Sequence, residues 1–314
     1  MTKPVDMARI ALWWARSHSF IDPDQQLNNC WLITGSGRSG TTWLQELIAA
    51  SGGLRPVFEP FHAQKSPGFR DLPFDMYVAP GDDSHEELSR RVSAVLRGKY
   101  RSRWSDRMNK LSRPRIYRGR VVKEIRITPL TAWIVDRNPG VHAVHLIRNP
   151  YDVAASAGAV GWNSQRFDHL FSQIEDFADV LSNYQIPKVE GCTAAQRFML
   201  GWTIENSLAF EMLPSRSVKL AVYGELTASD DAILDLLRRL GLPHEQVPAT
   251  VRRPSKTTRA DSHIQGKRRA QLDPESRGQV AEILNAFGFD SAFDEDGTTH
   301  PEILHARWGS SHVV

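Results

Sequence analysis

Short apolar segments alternate with segments of helical periodicity along most of this 314-residue chain. Runs such as NCWLIT at 29–34 are almost continuously apolar, and runs of this length predict strands buried on both faces. The segments between them repeat apolar residues every three or four positions, which predicts helices. The alternation predicts an α/β fold with a central, mostly parallel β-sheet flanked by helices. Predicted strands are 29–34, 119–125, 141–147 and 218–223; predicted helices are 41–50, 130–136, 152–157, 196–213, 230–240 and 275–287.

The whole chain, residues 1–314, is expected to form a single domain. No internal repeat is visible, and no low-complexity linker divides the sequence. Two intervals, 66–118 and 163–190, interrupt the alternation of strands and helices. Because connecting segments carry much of the variation in such folds, we interpret both intervals as insertions that wall off a substrate site.

The charge of the chain is unevenly distributed. Net charge is only +3, which gives no indication of nucleic acid binding. Residues 97–126, however, contain twelve Lys or Arg against two acidic residues, and 252–269 contain seven against one. Two interpretations stay open, a solvated basic surface and an electropositive cleft for a polyanionic ligand.

The cysteines and the N-terminal segment bear on location. Cys30 and Cys192 are the two cysteines, too few for a disulfide framework, which predicts a reducing, cytoplasmic compartment. Residues 7–20 are apolar but are interrupted by Arg9 and Arg16, and the segment is too short to cross a bilayer. We expect a helix that packs on the core or lies on a membrane surface, rather than a signal peptide or a transmembrane segment.

A glycine-rich turn follows the first predicted strand and precedes a predicted helix. Glycines allow a sharp turn whose N–H groups point inward, and the helix N-terminus attracts an anion, so the segment predicts a phosphate site. Gly35 and Gly40 have the spacing of the Walker motif, but Thr41 stands where that motif requires Lys, and the cation is Arg38 instead. The predicted nucleotide contacts here are Gly37, Arg38, Ser39, Gly40, Thr41, Thr42 and Trp43.

This loop resembles the 5'-phosphosulfate loop of the sulfotransferases that use 3'-phosphoadenosine-5'-phosphosulfate (PAPS), in which Lys or Arg precedes Ser-Gly-Thr-Thr. A second segment resembles the 3'-phosphate motif of that family: Arg148 ends the strand 141–147, and Ser156 follows eight positions later. A guanidinium group can grip phosphate oxygens with two hydrogen bonds. The resemblance covers about 31–156 and extends more loosely over 201–243.

Transfer to a hydroxyl requires a base and a cation for the leaving oxygen. Glu59 lies 21 positions after Arg38 in the sequence Phe-Glu-Pro, which is similar to the carbohydrate and tyrosylprotein sulfotransferases, whose acidic residue there is the base. Lys123, at the end of a predicted strand, matches the family lysine on the bridging oxygen. His62 is a candidate to assist the base or contact the substrate. The alternatives are a capping or salt-bridged Glu59 and a solvated Lys123.

Other residues are assigned more loosely by the resemblance. Trp43 is similar to the family aromatic that stacks on adenine, with core packing as the alternative. Lys267 and Arg268 resemble a basic loop that closes over the nucleotide, although the wording GKRR departs from the family's Arg-Lys-Gly. Glu124 is expected to be structural, and His145 is expected to be a core residue.

The resemblance implies a P-loop-type three-layer fold with a nucleotide-binding core at about 29–60 and 119–160. It also implies a sulfotransferase that takes PAPS as donor, releases 3',5'-adenosine bisphosphate (PAP) and requires no metal. The acceptor is expected to be a hydroxyl, with the Glu59 spacing favouring a carbohydrate and the basic stretches an anionic glycan or glycolipid. Tyrosine, lipid and small-molecule hydroxyls remain alternatives, as do a P-loop kinase-like phosphotransferase and a non-catalytic polyanion-binding protein.

Overall fold

A central five-stranded parallel sheet organises the structure. The computed structural model describes residues 20–109, 116–249 and 272–310. Within these residues the strands lie in the order β2-β3-β1-β4-β5, and every pairing is parallel. The predicted α/β fold with a parallel sheet between helices is therefore confirmed. The strands are β1 (Cys30–Thr34), β2 (Arg55–Phe58), β3 (Arg120–Lys123), β4 (His142–Ile147) and β5 (Lys219–Val222).

Helices occupy most of the chain between the strands. They are α1 (Thr41–Gly52), α2 (Glu86–Leu96), α3 (Thr131–Arg137), α4 (Pro150–Gly158), α5 (Asp168–Ser172), α6 (Ala194–Met212), α7 (Tyr223–Ala228), α8 (Asp230–Arg239), α9 (Pro274–Ala286) and α10 (Pro301–Ser310). The six predicted helices are all present, but α2, α5, α7 and α10 were not predicted. Tyr223, expected to end a strand, begins α7 instead. No helix in the described ranges is both long and apolar enough to cross a membrane.

Both faces of the sheet are buried, which explains why its strands are apolar without alternation. In β1, Leu32 packs into the core layer that includes α3, α6 and α9. Its neighbours Trp31 and Ile33 pack into the opposite layer, with α1 and α8. The same division places Val122 of β3 on the first side and Val121 on the second. Each strand is thereby held by a full helical layer on either side.

The register brings the loops that carry the candidate chemistry to one edge of the sheet. Lys123 at the end of β3 is paired with Ile33 of β1 and with Phe58 of β2. The connection after β1 leads to β2 on one side of the sheet, whereas β4 lies on the other side of β1. A crevice opens at the carboxyl ends of strands where their order changes direction, and ligands bind there in open α/β sheets.

The basic stretch 97–126 is divided between the two edges of the sheet. At the amino edge Arg120 is fully buried and donates from Nη2 to Asp22 Oδ1 at 3.0 Å, beside the equally buried Arg55, which donates to Asp106. Arg120 is thus part of the structural core rather than of an exposed basic surface. Residues 110–115, the second basic stretch at 252–269 and nearly all of the apolar segment 7–20 lie outside the described residues.

Candidate functional site

The glycine-rich loop after β1 is packed so closely that two of its glycines cannot carry a side chain. Gly35 has φ 143°, and a Cβ there would lie 2.3 Å from the Leu146 carbonyl oxygen. Gly40, with φ 96°, would place a Cβ 2.4 Å from the ring of Tyr223. Arg38 itself adopts φ 72°, a conformation that a non-glycine residue adopts only when its surroundings hold it there. The loop is therefore fixed in shape by β4, α7 and α1.

A network of buried hydrogen bonds connects this loop to α6 and β4. The Ser36 hydroxyl donates to Glu205 Oε2 at 2.8 Å and accepts from Asn206 Nδ2 at 3.0 Å, and both partners lie on α6. His145 of β4 contacts Asn206 Oδ1 through Nε2 at 3.1 Å. Burial lowers the pKa of His145 to about 4, so this ring is neutral and is a core residue, as the sequence predicts.

The structure brings together the three residues predicted to contact the nucleotide phosphates from two separate motifs. Arg38 Nε donates to Ser156 Oγ at 3.0 Å, and Arg148 Nη1 donates to the Arg38 carbonyl oxygen at 3.2 Å. Arg148 is held further by Asp152 Oδ2 at 3.0 Å and lies over the Tyr223 ring, 4.8 Å from its centroid. Ser156 was expected early in its helix but lies in the second half of α4, because the helix begins at Pro150.

A cavity of about 350 Å³ adjoins Arg148. Its lining includes Tyr223 and Thr227 of α7, together with Gly297 and Thr299 from the segment before α10. An aromatic ring, hydroxyl groups and the Arg148 cation thus line the cavity together with the carboxyl groups of Asp152 and Glu225. Sequence analysis gave Tyr223 no role.

Not every predicted nucleotide contact is exposed in this loop. Trp43 is only 9% exposed and packs edge-on against Tyr223, with ring centroids 5.6 Å apart, as part of the hydrophobic layer beneath α1. Core packing, the alternative considered for this residue, is therefore what the structure shows for most of its surface. Thr41 is buried and Thr42 is half-buried. Lys267 and Arg268 lie outside the described residues.

Glu59 and Lys123 meet at the ends of β2 and β3. Lys123 Nζ donates to Glu59 Oε1 at 2.5 Å, and Arg126 Nη1 donates to Glu59 Oε2 at 2.9 Å. Glu59 has φ 41° although Pro60 follows it, and the residue before a proline normally prefers extended backbone. A strained backbone of this kind persists only where the surrounding structure imposes it, and such positions cluster at functional sites.

The charges around Glu59 determine its ionisation. Burial alone raises the pKa of Glu59, but the charges of Lys123 and Arg126 outweigh burial and lower the pKa to about 2. Burial is also the main cause that lowers the pKa of Lys123, against the attraction of Glu59. The carboxylate is therefore ionised at neutral pH and is held between two cationic groups.

Glu124 has the structural role expected of it. Its carboxylate is fully buried and accepts hydrogen bonds from the backbone N–H groups of Phe61 and Ile125, each at 2.9 Å. Arg126 Nη1 also reaches Glu124 Oε1, at 3.3 Å. Burial raises the pKa of Glu124. The residue thereby fastens the turn that carries Glu59 to the end of β3.

His62 lies in the wall of a second cavity, of about 270 Å³. Its ring packs edge-on against Phe74 and Trp104, with centroid distances of 5.4 and 5.3 Å. Burial, together with the positive charge of Arg126, lowers the pKa of His62 to about 4, so the ring is neutral at pH 7. Residues from both predicted insertions line this cavity; the lining is His62, Gln64, Phe74, Asp75, Ile125, Arg126, Gly161, Trp162, Asn163 and Arg166.

Four charged residues of this region were missed by sequence analysis. Arg166 Nη2 donates to Glu205 Oε1 at 2.9 Å and to Asp75 Oδ2 at 3.5 Å. Burial, followed by the charge of Asp75, raises the pKa of Glu205 well above its ordinary value. A signal existed for Glu205, an acid in the mostly apolar middle of a predicted helix, and for Arg126, a cation just beyond a predicted strand. Asp75, with φ 55° in a loop, and Arg166, in a short 3-10 helix, lie in segments that gave none.

Comparisons with known proteins add no assignment. No protein-family model matches this chain, and no curated protein is significantly similar to it. Among the residues that the structure describes, no group of three or more His, Cys, Asp or Glu side chains is arranged to hold a metal ion. The function is therefore inferred from the geometry of the site.

Proposed function

We propose that this protein is a sulfotransferase that moves a sulfonate group from PAPS to an acceptor hydroxyl and releases PAP. The observation that carries the proposal is the convergence of Arg38, Arg148 and Ser156 at the carboxyl edge of the sheet. These residues come from two motifs that are more than a hundred positions apart in sequence. One motif resembles the segment that binds the 5'-phosphosulfate in PAPS sulfotransferases, and the other resembles the segment that binds the 3'-phosphate.

The donor would lie along this edge. Its 5'-phosphosulfate group fits the glycine-rich loop, where backbone N–H groups and the N-terminus of α1 favour an anion. Its 3'-phosphate fits Arg148 and Ser156, which supply a guanidinium fork and a hydroxyl. The nucleoside would occupy the 350 Å³ cavity beside Tyr223.

The transfer step uses groups already in contact. Glu59 takes the proton of the acceptor hydroxyl, whose oxygen attacks sulfur in line. The bond between sulfur and the bridging oxygen breaks, and PAP leaves with that electron pair. Lys123 and Arg38 stabilise the negative charge that develops on the sulfonate and the bridging oxygen, which side-chain cations can do without a metal.

The ion pair between Glu59 and Lys123 must loosen for this step. A carboxylate with a pKa of about 2 is a weak base, because two cations stabilise its charge. When the donor is bound, its negatively charged sulfonate would interact with Lys123 alongside Glu59. Sharing Lys123 with the donor would raise the basicity of Glu59 at the moment when the acceptor hydroxyl needs a base.

The two other functions considered have weaker support. A P-loop kinase-like phosphotransferase would require the Walker lysine, and Thr41 occupies that position. A non-catalytic polyanion-binding protein would not need a strained, buried carboxylate such as Glu59. The Phe-Glu-Pro wording favours a carbohydrate hydroxyl as acceptor. Cys30 and Cys192 are free thiols, and we place the activity in the cytoplasm.

The donor is tested by comparing two nucleotides that differ at the 3' position. Calorimetry with PAP and with adenosine 5'-phosphosulfate should show that Arg148→Ala lowers the affinity for PAP by about ten- to a hundredfold. This is the loss expected when the charge-assisted hydrogen bonds of one guanidinium group are removed. Binding of adenosine 5'-phosphosulfate should change much less.

The matched control is Arg90→Ala, since Arg90 is exposed on α2 and pairs with Glu87 of the same helix. It should bind both nucleotides as the parent does. If Arg148→Ala lowers the affinity for both nucleotides equally, Arg148 does not contact the 3'-phosphate. If the parent protein binds neither nucleotide, the sulfotransferase proposal is wrong.

A further inference from the structure

The 270 Å³ cavity near the proposed base is lined by two arginines, Arg126 and Arg166, that are already paired with carboxyl groups. Its wall includes Arg126, which donates to Glu59 at 2.9 Å and so connects the cavity wall to the carboxylate. If the proposed transfer takes place, this cavity is where the acceptor substrate would bind. Arg126 belongs to the basic stretch 97–126, which suggested a polyanionic ligand. The contacts of Arg126 and Arg166 show whether these cations are available to such a ligand.

The guanidinium group of Arg126 is hydrogen-bonded along its edge and stacked against a ring on its face. Its Nη1 atom donates to Glu59 and also to Glu124, at 2.9 and 3.3 Å. The guanidinium group lies over the ring of Phe74, 5.0 Å from its centroid. Among the described residues Arg148 has a single carboxylate partner, Asp152, whereas Arg126 is shared by two buried carboxyl groups and stacked on an aromatic face. Such a cation has little charge left to offer a further anion.

Arg166, which also lines the cavity, repeats this arrangement. It donates to Glu205 at 2.9 Å and lies 3.5 Å from the fully buried Asp75. Its guanidinium group lies over Trp162 and over Phe167, at 5.5 and 4.3 Å from the ring centroids. Both guanidinium groups of the cavity are therefore paired with carboxyl groups and covered by aromatic rings.

An anionic acceptor would have to displace one of these carboxyl groups from its arginine. That exchange leaves a buried carboxylate without its partner, which is strongly unfavourable. An uncharged ring requires no such exchange, because Phe74, Trp162 and Ile125 supply apolar surface while the polar rim supplies hydrogen-bond partners. At 270 Å³ the cavity lies below the range of about 300–1,000 Å³ typical of drug-sized ligands.

From these contacts we infer that the cavity binds an uncharged, single-ring acceptor that carries a hydroxyl, and that it rejects analogues bearing a carboxylate. A neutral sugar ring and a phenol share this chemistry. The inference rests on the proposed sulfotransferase function and narrows its acceptor class, excluding the anionic glycan that the basic stretch suggested.

Two matched pairs of compounds test the inference. Methyl β-glucoside is compared with methyl β-glucuronide, and 4-methylphenol with 4-hydroxybenzoate, each with sulfur-labelled PAPS. We expect label in the neutral member of one pair and at least about tenfold less in its carboxylate partner, because the carboxylate must break a buried ion pair. The pair that is labelled distinguishes a sugar from a phenol as the source of the hydroxyl.

Asp75→Asn provides the second test. Asparagine tolerates the positive φ of this position, and the change removes one negative charge beside Arg166. The preference for the neutral compound should fall by about tenfold, roughly the effect of losing one charge contact. Asp71→Asn is the matched control, since Asp71 is exposed and pairs with Arg91 away from the cavity, and it should leave the preference unchanged.

The outcomes separate this inference from the proposed function. Carboxylate compounds labelled as well as their neutral partners, or no label in either pair while PAP binds normally, would overturn the inference alone. Failure of the parent protein to bind PAP would overturn the sulfotransferase proposal and the inference together. If Asp75→Asn does not fold, the ratio measured with the parent protein still decides the matter.

Discussion

At the scale of single residues, Glu59 combines a strained backbone, near-complete burial and contact with two cations. A salt-bridged carboxylate was the structural alternative for this residue, and the salt bridge is present. The salt bridge does not exclude the catalytic role, because the same lysine is the group proposed to stabilise the leaving oxygen. The two roles are separated by measuring rate and binding independently.

Replacing Glu59 by glutamine tests its role as the base. Glutamine keeps the size and polarity of the side chain but cannot take the proton, so the transfer rate should fall by roughly a hundredfold or more. PAP affinity should stay near that of the parent, because the loss is confined to the transition state. Single-turnover kinetics with labelled donor and calorimetry with PAP provide the two measurements.

His62→Ala is the comparison for that experiment, since His62 lies three residues after Glu59 and its backbone N–H donates to the Glu59 carbonyl oxygen at 3.3 Å. We expect it to retain most of the activity. Normal turnover in Glu59→Gln together with an inactive His62→Ala would identify the histidine as the base instead. Unfolding of Glu59→Gln would show that the carboxylate mainly holds Lys123 and Arg126 in place.

At the scale of elements, the turn between β1 and α1 depends on the close approach of the loop to β4. Gly35→Ala combines a positive φ with a collision at the Leu146 carbonyl oxygen, so the free energy of unfolding should fall by about 3 kcal/mol or more. PAP binding should weaken as well, because the loop has to move to relieve the collision. Chemical denaturation and calorimetry measure the two effects.

Gly53→Ala is the matched control for the backbone part of this effect. Gly53 also has a positive φ, 61°, but a Cβ there would meet nothing within 4 Å. It should lose only about 1–2 kcal/mol of stability and bind PAP normally. Equal effects of the two substitutions would mean that the contact with β4 does not shape the loop.

Helix α6 carries a buried carboxyl group that should make stability depend on pH. Because the pKa of Glu205 is raised in the folded protein, its contribution is complete at low pH and is lost as pH rises above the ordinary carboxyl range. Glu205→Gln stays neutral, so its stability relative to the parent should improve between about pH 5 and pH 8.

Denaturation curves of the parent and of Glu205→Gln at several pH values measure this difference. Glu59 does not interfere, because its lowered pKa affects stability only below the ordinary carboxyl range. Identical pH slopes for the two proteins would show that Glu205 is ionised in the folded state. Its contacts with Ser36 and Arg166 would then be ordinary ion-assisted hydrogen bonds.

At the scale of the whole molecule, positive charges that are close in sequence lie at opposite edges of the sheet. Arg55 and Arg120 hold the amino edge of the sheet together with Asp22 and Asp106, whereas Lys123 and Arg126 lie at the carboxyl edge. Runs of basic residues in sequence therefore do not correspond to one continuous basic surface among the described residues.

Transfer without a divalent metal is the prediction that belongs to the assembled site. Arg38 and Lys123 supply the positive charge that the departing group needs, so turnover with PAPS should be unchanged by EDTA. A magnesium-dependent kinase assayed in the same buffer is the control. Loss of activity with EDTA and its recovery with magnesium would support the phosphotransferase alternative.

The sequence by itself determined the parallel sheet and six of the described helices, because apolar runs and helical periodicity are local signals. It also placed Lys123 and Arg148 at strand ends, and parallel strands have their carboxyl ends at one edge of a sheet. Helices α2 and α5 were not predicted because they lie in intervals interpreted only as insertions. Helix α7 begins at a residue expected to end a strand, and α10 follows the helix expected to be last.

Only the tertiary structure decided which charges pair with which. Glu59 meets Lys123 and Arg126 through the register of β2 with β3 and an unusual backbone conformation, and neither has a local signal in sequence. Asp75, Arg166 and Glu205 come from three distant segments that meet only after the sheet has formed. Sequence periodicity specifies which face of an element is buried, whereas side-chain partners depend on long-range packing that periodicity does not contain.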